Sequence, residues 1–549
     1  MGGIALFAAG QASDGHTGKM AWDLYRAVEA GQQQRAVGDD VESITAVLLT
    51  RAEATDAGLQ ILRSFGYSVI GAMGRFIMVE APADRFADAE VGLDVLDFVT
   101  NASLPPPSLE SAAPTITNGT AAIGAEDVWN LGYRGDDVVI ALIDDGFDLD
   151  NTTLAGHNPI FYTITPSPEK VGTYSTEIGE AAQPSPHGTS CAIIAGDVAP
   201  DAQIHVLSYP KGTAPLGWIF AVHYAVYTLG ADVVSTSVEF GGSYCHADGT
   251  GPVNELISRF LADSGTALVI AAGNWAGGSG SSRWHYEARF VDSDGDFNHD
   301  FTADADTAWD RNTLRFSARK GDQLLLFMEW DDWGADSHRE DLDLYILDSQ
   351  YHVVVGESKA QQFGGTSNPV EGVPGGGRMF VAPATGDYCI RVRNRAAAAH
   401  GEATRPVHFN LFALSKSGPF AFVEHSTSCG SIREAATHPQ AVAVGAVAVD
   451  TQELRDYSSR GPTGGGLDKP ELCAPDGVSG TAYPSFTGSS ASAPYVAGAL
   501  ALLRSADPDA TVNRLVRLLQ DTATTSVDDC GNPVYAIDVL GAMRALLEE

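Results

Sequence analysis

Ser490 stands where a turn of small residues leads into a helix-forming run. Residues Thr487 to Gly498 read TGSSASAPYVAG, and an apolar segment follows them. A serine at a helix start commonly caps the helix. It can also act as a nucleophile there, with the positive end of the helix behind it. The second interpretation requires partner residues elsewhere in the chain.

Three such partners occur beside apolar runs that predict buried strands or helices. Asp144 directly follows the run Val138–Ile143, His187 opens a helical segment, and Asn274 follows a second buried strand closed by Gly273. In a catalytic site of this composition, histidine takes the serine proton, aspartate fixes the histidine tautomer, and an asparagine amide stabilises an oxyanion. The four residues therefore predict acyl-transfer chemistry.

The chain order Asp, His, Asn, Ser resembles that of the subtilisin-like serine proteases. Further stretches similar to that family extend from about Ile116 to Leu547, apart from one insertion. These stretches are Val198–Ala202, Val442–Val447, Ser458–Pro462 and Lys469–Pro475. The resemblance implies an α/β fold with a doubly wound, mostly parallel sheet, whose active site lies at the carboxyl ends of the strands.

The same resemblance implies a role for each residue of the site. Asp144, His187 and Ser490 would form the catalytic triad and Asn274 the oxyanion hole, with Asp145 as the competing candidate for the triad acid. The segment Val234–Val238 would offer backbone groups to an extended substrate. The expected substrate-binding residues are Ser235, Ser237 and Val238 on that segment, and Ala271, Ala272 and Gly273 as the floor of the S1 pocket.

Some details are similar to the kexin branch of the family. They are Asp144-Asp145-Gly146, the thiol of Cys191 four residues after His187, and Ser490–Pro494. The acidic run that kexins place after the substrate-binding strand is missing, because that segment reads Ser237–Gly242. Ser489 stands where the family usually has threonine, and it keeps the hydroxyl group.

Composition narrows the choice of partners. The chain has 549 residues, which predicts two to four domains, and a formal net charge of -37. Nucleic acid is therefore an unexpected partner, because phosphate binding needs a basic face. No run approaches the ~18 apolar residues of a membrane helix, so no membrane span is expected. We expect a monomer that acts on polypeptides.

Six cysteines form no CxxC pair, so a zinc site is not expected. Cys191 is interpreted as a free thiol beneath His187. Cys245 and Cys429 are candidates for a disulfide, which would suit secretion to an oxidising compartment. The apolar stretch Ile4–Ala9 is short and has no Lys or Arg before it, so it does not read as an intact signal peptide.

The N-terminal region shows a different pattern from the rest. After residues 1–39, in which Lys19–Gly31 predicts a short helix, residues 40–103 alternate strands and helices in the order βαββαβ of a ferredoxin-like plait, with a last strand at Val95–Val99. The propeptides of the resembled family have this order. We therefore expect a propeptide that inhibits the enzyme, with an unrelated accessory domain as the alternative. Residues 104–115 form a Pro-rich linker, and self-cleavage is expected between Ser108 and Ile116.

One insertion divides the catalytic domain into residues 116–280 and 418–549. Residues 281–417 carry short strand patterns and turns, which predict a β-sandwich similar to jelly-roll domains. The predicted strands are Thr313–Phe316, Leu324–Trp330, Leu342–Leu347 and Tyr388–Val392. Substrate or glycan binding, stabilisation and restriction of access all remain open as roles.

A calcium site is the other ligand that the sequence suggests. Asp292, Asp294, Asp296 and Asn298 alternate oxygen ligands as calcium loops do, but the loop lacks the glycine position and distal Glu of an EF-hand. A solvated acidic turn is the alternative interpretation. The chemistry itself requires no cofactor.

Two other classes of function share these motifs. A catalytically silent relative used as a binding scaffold would keep the fold, and an esterase or acyl transferase would keep the triad. Hydrolysis of an unstructured protein, compared with transfer to an added amine, separates these from an endopeptidase.

Overall fold

The computed structural model describes residues 43–87, 96, 98–103, 117–239, 244–277, 284–302, 311–333, 340–348, 354–359, 369–373, 380–400, 406–415, 422 and 424–548. The predicted helix at Lys19–Gly31, the linker of residues 104–115 and the predicted cleavage interval from Ser108 to Ile116 lie outside these ranges.

Residues 43–103 contain a four-stranded antiparallel sheet, here called the N-terminal sheet. Its strands pair in the order β2–β3–β1–β4. Thr55 caps the helix of this unit by accepting the N–H of Gly58 at 3.1 Å. The elements are β1 Ser43–Thr50, α1 Asp56–Ser64, β2 Ser68–Met73, β3 Phe76–Pro82, a 3-10 helix Ala83–Ala87 and β4 Val99–Ser103.

The last strand begins later than the sequence predicts. The sequence predicts a strand at Val95–Val99, of which Val95 and Asp97 lie outside the described residues. Pairing with β1 begins at Val99 and continues to Ser103. Leu96 is buried ahead of the strand, and its carbonyl accepts the N–H of Val99 at 2.9 Å, which forms a turn there. Residues Thr100–Ser103, which follow the predicted strand, are therefore part of the sheet.

The main α/β unit begins at residue 117, and its first part supplies most of one large sheet. The strands are β5 Val139–Ile143, β6 Ile160–Pro166, β7 Tyr174–Ile178, β8 Gln203–Ser208, β9 Val233–Thr236 and β10 Ala267–Ala271. The helices are α2 Gly119–Ala122, α3 Ala125–Asn130, α4 Thr152–Ala155, α5 Pro186–Val198, α6 Leu216–Tyr224 (continued by a π-helix, Ala225–Leu229) and α7 Pro252–Leu261.

An insertion of antiparallel strands follows β10 and is here called the two-sheet insert. Its two sheets have the orders β11–β19–β13–β16, with β17 also pairing β13, and β12–β18–β14–β15. Side chains of both sheets contribute to one hydrophobic core. The elements are β11 His285–Arg289, β12 Leu314–Ala318, β13 Gln323–Trp330, β14 Leu342–Asp348, β15 Val354–Ser358, β16 Val370–Val373, β17 Phe380–Val381, β18 Gly386–Asn394, α8 Arg395–His400 and β19 His408–Ser415.

The chain then returns to the large sheet. The remaining elements are a 3-10 helix Glu434–Thr437, β20 Val442–Ala448, β21 Leu472–Asp476, α9 Ser489–Ala506, α10 Val512–Thr522, β22 Thr524–Val527, β23 Pro533–Ala536 and α11 Val539–Glu548. None of the described helices has the length and apolar character that crossing a bilayer requires.

The large sheet has ten strands in the order β22–β23–β21–β20–β10–β9–β5–β8–β6–β7. Neighbours from β23 to β6 run parallel, and only the edge strands β22 and β7 pair antiparallel. Helices α5 and α9 share a core with one face of this sheet, and α6 and α7 share a core with the other. The prediction of an α/β fold with a mostly parallel sheet is confirmed.

One face of the N-terminal sheet packs against α6 and α7. Val47, Phe76 and Met78 belong to the same core as Leu216 and Leu256. Gly71 lies so close to Pro166 that a methyl group there would come within 2.7 Å of the proline Cβ. The opposite face of the sheet packs on α1. The N-terminal sheet is therefore joined to the main unit through buried apolar surface.

The predicted cysteine pairing is wrong. Cys429 forms its disulfide with Cys530, with Cα atoms 5.6 Å apart, while Cys245 is a buried free thiol. Cys245 belongs to the hydrophobic core that contains residues of α6 and α7. Cys530 lies in the turn between β22 and β23, which the fold brings to that loop.

Candidate active site

Asp144 and His187 lie side by side at the carboxyl edge of the large sheet. Asp144 directly follows β5, and His187 is the second residue of α5, after a proline that suits the first helical turn. The His187 Nδ1 lies 2.8 Å from the Asp144 Oδ2, and both side chains are buried. Burial raises the pKa of Asp144, an effect that the neighbouring His187 opposes.

Asp145 contributes to this arrangement through its backbone. Its N–H donates to the second carboxylate oxygen of Asp144 at 3.0 Å. The carboxylate in contact with His187 is therefore that of Asp144. This is the residue that the sequence favoured over Asp145.

Ser490 lies in the first turn of α9, after Gly488 at a φ of 103°. Pro494, four residues later, has no N–H, so it cannot bond the Ser490 carbonyl as a helix normally would. That carbonyl instead accepts the hydroxyl of Ser237 at 3.1 Å and the thiol of Cys191 at 3.5 Å. The Ser490 hydroxyl donates to the Ser237 carbonyl at 3.4 Å. The start of α9 is thus held against β9 and α5.

Asn274 is oriented by Ser489, a role that sequence reasoning missed. The Asn274 Oδ1 accepts the Ser489 N–H at 2.9 Å and the Ser489 hydroxyl at 3.3 Å. The same hydroxyl accepts the N–H of Gly273 at 3.0 Å. Because Oδ1 accepts both bonds, the amide Nδ2 is the group left to donate to a substrate oxygen. The sequence did carry one signal for this role: position 489, where the family usually has threonine, keeps a hydroxyl group.

The expected substrate-binding residues divide into two groups. Ser235 lies inside β9, where it pairs with Leu142 on one side and Val269 on the other, so its backbone is engaged within the sheet. Ser237 and Val238 follow the end of β9, and Ser237 contacts Ser490. Ala271 ends β10, while Ala272 and Gly273 continue from it to Asn274. The structure thus brings Ser237, Val238 and the three residues expected to line S1 to the sheet edge, but leaves Ser235 within the sheet.

Sequence reasoning also missed a buried group beside Asn274. Trp275 packs edge-on against Phe327 and Phe412 of the two-sheet insert, and the Arg433 guanidinium lies over both phenylalanine rings. Glu239 accepts the indole N–H of Trp275 at 2.5 Å. These residues are far apart in the chain, so no local motif indicated them. The insert therefore contacts the residue that follows the candidate oxyanion donor.

Cys191 lies beneath the candidate triad, as its spacing from His187 predicted. Its thiol, a His187 ring nitrogen and an Asp144 carboxylate oxygen all lie within 4.8 Å of one another. Burial raises the pKa of the thiol well above its usual range, so it is protonated at neutral pH.

We expect mercurials to inhibit the protein, because a metal on this sulfur would displace His187. Cys191→Ala should abolish that inhibition, whereas Cys245→Ala should retain it, because Cys245 is a buried thiol of the core shared by α6 and α7 and is not part of the group formed by Asp144, His187 and Cys191. The measurement is residual peptide hydrolysis after treatment. Equal inhibition of the Cys191→Ala variant would assign the effect to another thiol.

The predicted calcium ligands occupy a compact loop before β12. Carboxylate oxygens of Asp292, Asp294 and Asp296 lie within 4.8 Å of one another. They also accept backbone N–H groups of the loop, including those of Gly295 and Asn298. The Asn298 Oδ1 is buried without a hydrogen-bond partner among the described residues, so this donor set fits a hard cation with oxygen ligands.

Comparison with known proteins identifies the class. Residues 135–293 and 421–534 match the subtilase family, and the interruption coincides with the two-sheet insert. The chain belongs to the subtilase family.

Individual relatives are distant. The chain is 23% identical over 472 residues to the minor extracellular protease Vpr of Bacillus subtilis (strain 168), a match that covers 80% of this chain and 54% of that protein. The chain thus spans about half the length of this curated relative. The solved structure of the CspB protease of Clostridium perfringens shares the fold, with a TM-score of 0.56, 16% identity and coverage of 79% of this chain and 100% of that one.

Proposed function

We propose that the protein is a serine endopeptidase that hydrolyses peptide bonds through an acyl-enzyme intermediate. The observation that carries this proposal is the buried contact of His187 with Asp144 at the sheet edge where α9 begins with Ser490. Membership of the subtilase family supports it.

In the proposed mechanism, each residue has one task. Ser490 attacks the scissile carbonyl while His187 takes its proton, and His187 then returns that proton to the leaving amine. Asp144 holds the histidine tautomer and stabilises the imidazolium. Asn274 and the Ser490 N–H stabilise the oxyanion, and water hydrolyses the acyl-enzyme by the same steps.

Substrate would bind as an extended strand. Ser237 and Val238 follow the end of β9 and are the residues on that side whose backbone can pair with a peptide. Ala271, Ala272 and Gly273 would line the S1 pocket on the other side. Hydrolysis of an unstructured protein with no transfer to an added amine would support an endopeptidase. Transfer as the main reaction would indicate an acyl transferase, and no reaction with a fluorophosphonate would indicate a silent scaffold.

We propose that the N-terminal sheet, as a ferredoxin-like unit, acts as a propeptide and, after cleavage between Ser108 and Ile116, as a bound inhibitor. Its apolar packing on α6 and α7 supports retention after a cut. The Asp56 carboxylate also accepts the N–H of Val171 at 3.0 Å, which adds a polar contact between the two units. An accessory domain that is never released is the alternative.

We propose that residues 281–417 form a β-sandwich domain that stabilises the loop after β10. The shared core of its two sheets and the packing of Trp275 against it support this role. Residues 116–280 and 418–549 would then be the two parts of one catalytic domain. Secretion is proposed from the extracellular relative and from the disulfide Cys429–Cys530.

A structural calcium ion at Asp292, Asp294, Asp296 and Asn298 is also proposed. Chelation should then lower the melting temperature by several degrees, since a ligand at a hundred times its Kd contributes about 2.7 kcal/mol. Asp294→Ala should blunt this shift. Asp322→Ala, which removes a turn carboxylate elsewhere in the insert, should leave it unchanged. If the chelator leaves the melting temperature of the wild-type protein unchanged, the protein binds no structural calcium ion.

A further inference from the structure

The Glu239 carboxylate lies against the proposed floor of the S1 pocket. Gly273 has a φ of 95°, and a methyl group built there would come within 2.5 Å of the Glu239 Oε1. Glycine is therefore required at this position both by its backbone conformation and by the carboxylate beside it. In the chain, Glu239 follows Val238, one of the two residues proposed to pair with the substrate.

The two oxygens of this carboxylate have different surroundings. Oε2 accepts the indole N–H of Trp275 at 2.5 Å, and the Trp275 backbone N–H donates to the Ser459 hydroxyl at 3.0 Å. The tryptophan is therefore fixed at both ends. Oε1 is shielded from solvent and has no hydrogen-bond partner among the described residues. A buried oxygen without a partner is costly, and a charged donor from a ligand would satisfy it.

Arg433 is the cation nearest to this group, but it serves other carboxylates as well. Its guanidinium lies 3.6 Å from Glu329 and 3.4 Å from Glu434. The rings of Phe327 and Phe412, with centroids 4.2 and 4.7 Å away, hold it in place. Two of its own donors, Nε and one terminal NH group, have no hydrogen-bond partner among the described residues, and it makes no described bond to the Glu239 Oε1.

Burial also shifts the protonation of the other acidic groups around Arg433. Burial raises the pKa of Glu434 to about 8, so this carboxyl is protonated, and burial keeps the nearby Cys245 thiol neutral by raising its pKa. Burial also raises the pKa of Glu239 and Glu329, while Arg433 lowers both.

We propose that Glu239 determines specificity at S1 by selecting a substrate with lysine or arginine at P1. The cation supplies the partner that Oε1 lacks among the described residues. This inference rests on the proposed endopeptidase function. The alternative is that Glu239 only supports Trp275, in which case the charge of P1 has no effect.

The test uses the full chain and peptides that differ only at P1, with lysine, arginine, norleucine or glutamate. We expect kcat/KM for lysine or arginine to exceed that for the isosteric norleucine by about tenfold to a hundredfold, the range for a buried hydrogen bond to a charged group. Glu239→Gln should reduce this ratio to about one. Glu434→Gln resembles the protonated form already present and should preserve the ratio.

A binding measurement on the wild-type protein tests the same proposal if the Glu239→Gln variant does not fold. A peptide ending in argininal should protect Ser490 from fluorophosphonate labelling at a lower concentration than the norleucinal analogue does. Equal protection, or a preference for norleucine, would overturn the role of Glu239 while leaving the peptidase intact. A protein that cleaves no peptide and is not labelled would overturn the proposed function, and this inference with it.

Discussion

Ser490→Ala should lose peptide hydrolysis by roughly 10⁵–10⁶-fold in kcat and lose all labelling by a fluorophosphonate. The variant lacks the attacking oxygen but keeps the contacts that hold α9, because Ser237 and Cys191 bond the Ser490 backbone carbonyl. The free energy of unfolding should change by less than about 1 kcal/mol, since the hydroxyl makes a single long hydrogen bond.

Ser492→Ala is the matched control for this variant. It removes an equally buried hydroxyl from the same helix, one that donates to the Pro475 carbonyl at 3.3 Å, away from the candidate triad. Its activity should be close to that of the wild type. Labelling that persists in Ser490→Ala would move the nucleophile elsewhere.

The same variant tests self-processing. Wild-type protein should separate into a mature band and a small fragment that remains bound, while Ser490→Ala stays at full length. Identical processing of both proteins in a protease-poor host would exclude autocleavage. An uncut wild type with full activity would make the N-terminal sheet an accessory domain.

Asn274→Ala should lower kcat by about 10²–10³-fold with little change in KM, because the amide would act on the oxyanion that forms only during the reaction. The measurement is steady-state hydrolysis of one peptide at several concentrations. A rise in KM with unchanged kcat would assign Asn274 to substrate binding instead.

Ser489→Ala should give a smaller loss in kcat, about tenfold. The Asn274 Oδ1 would lose the hydroxyl at 3.3 Å but keep the backbone N–H at 2.9 Å. Combined with Asn274→Ala, the second substitution should cost little more, because the group that Ser489 orients is already gone. Additive losses would show that Ser489 acts independently of Asn274.

Much of the site could be predicted because its signals are local. Asp144 follows a buried strand, and His187 and Ser490 open helices, so short motifs indicated each residue and the parallel sheet explained their meeting. Ser235 was misplaced because no glycine or proline marks the end of β9, and Ser237 and Val238 follow Thr236 directly. The later start of β4 was missed because an apolar residue need not belong to a strand: Leu96 is buried, but it precedes β4.

Contacts between distant segments were beyond sequence reasoning. Cys429 could be paired only by knowing that the turn between β22 and β23 returns to its loop. Nothing in the sequence indicated that Arg433 and Trp275 contact Phe327 and Phe412. Those contacts depend on which face of the insert's sheet carries the two phenylalanine side chains. In the sequence, Glu239 has no feature that distinguishes it from other polar residues. Only the fold shows that its carboxylate lies beside Gly273.

The packing of the N-terminal sheet on α6 and α7 involves only parts of the chain that are synthesised early. Both helices are complete at Leu261, whereas Ser490 is added after the whole two-sheet insert has been made. At the usual 5–20 residues per second, that interval lasts on the order of ten to fifty seconds. The sheet and its docking helices therefore coexist on the ribosome well before the chain contains a nucleophile, so the proposed inhibitor precedes the activity that it would restrain.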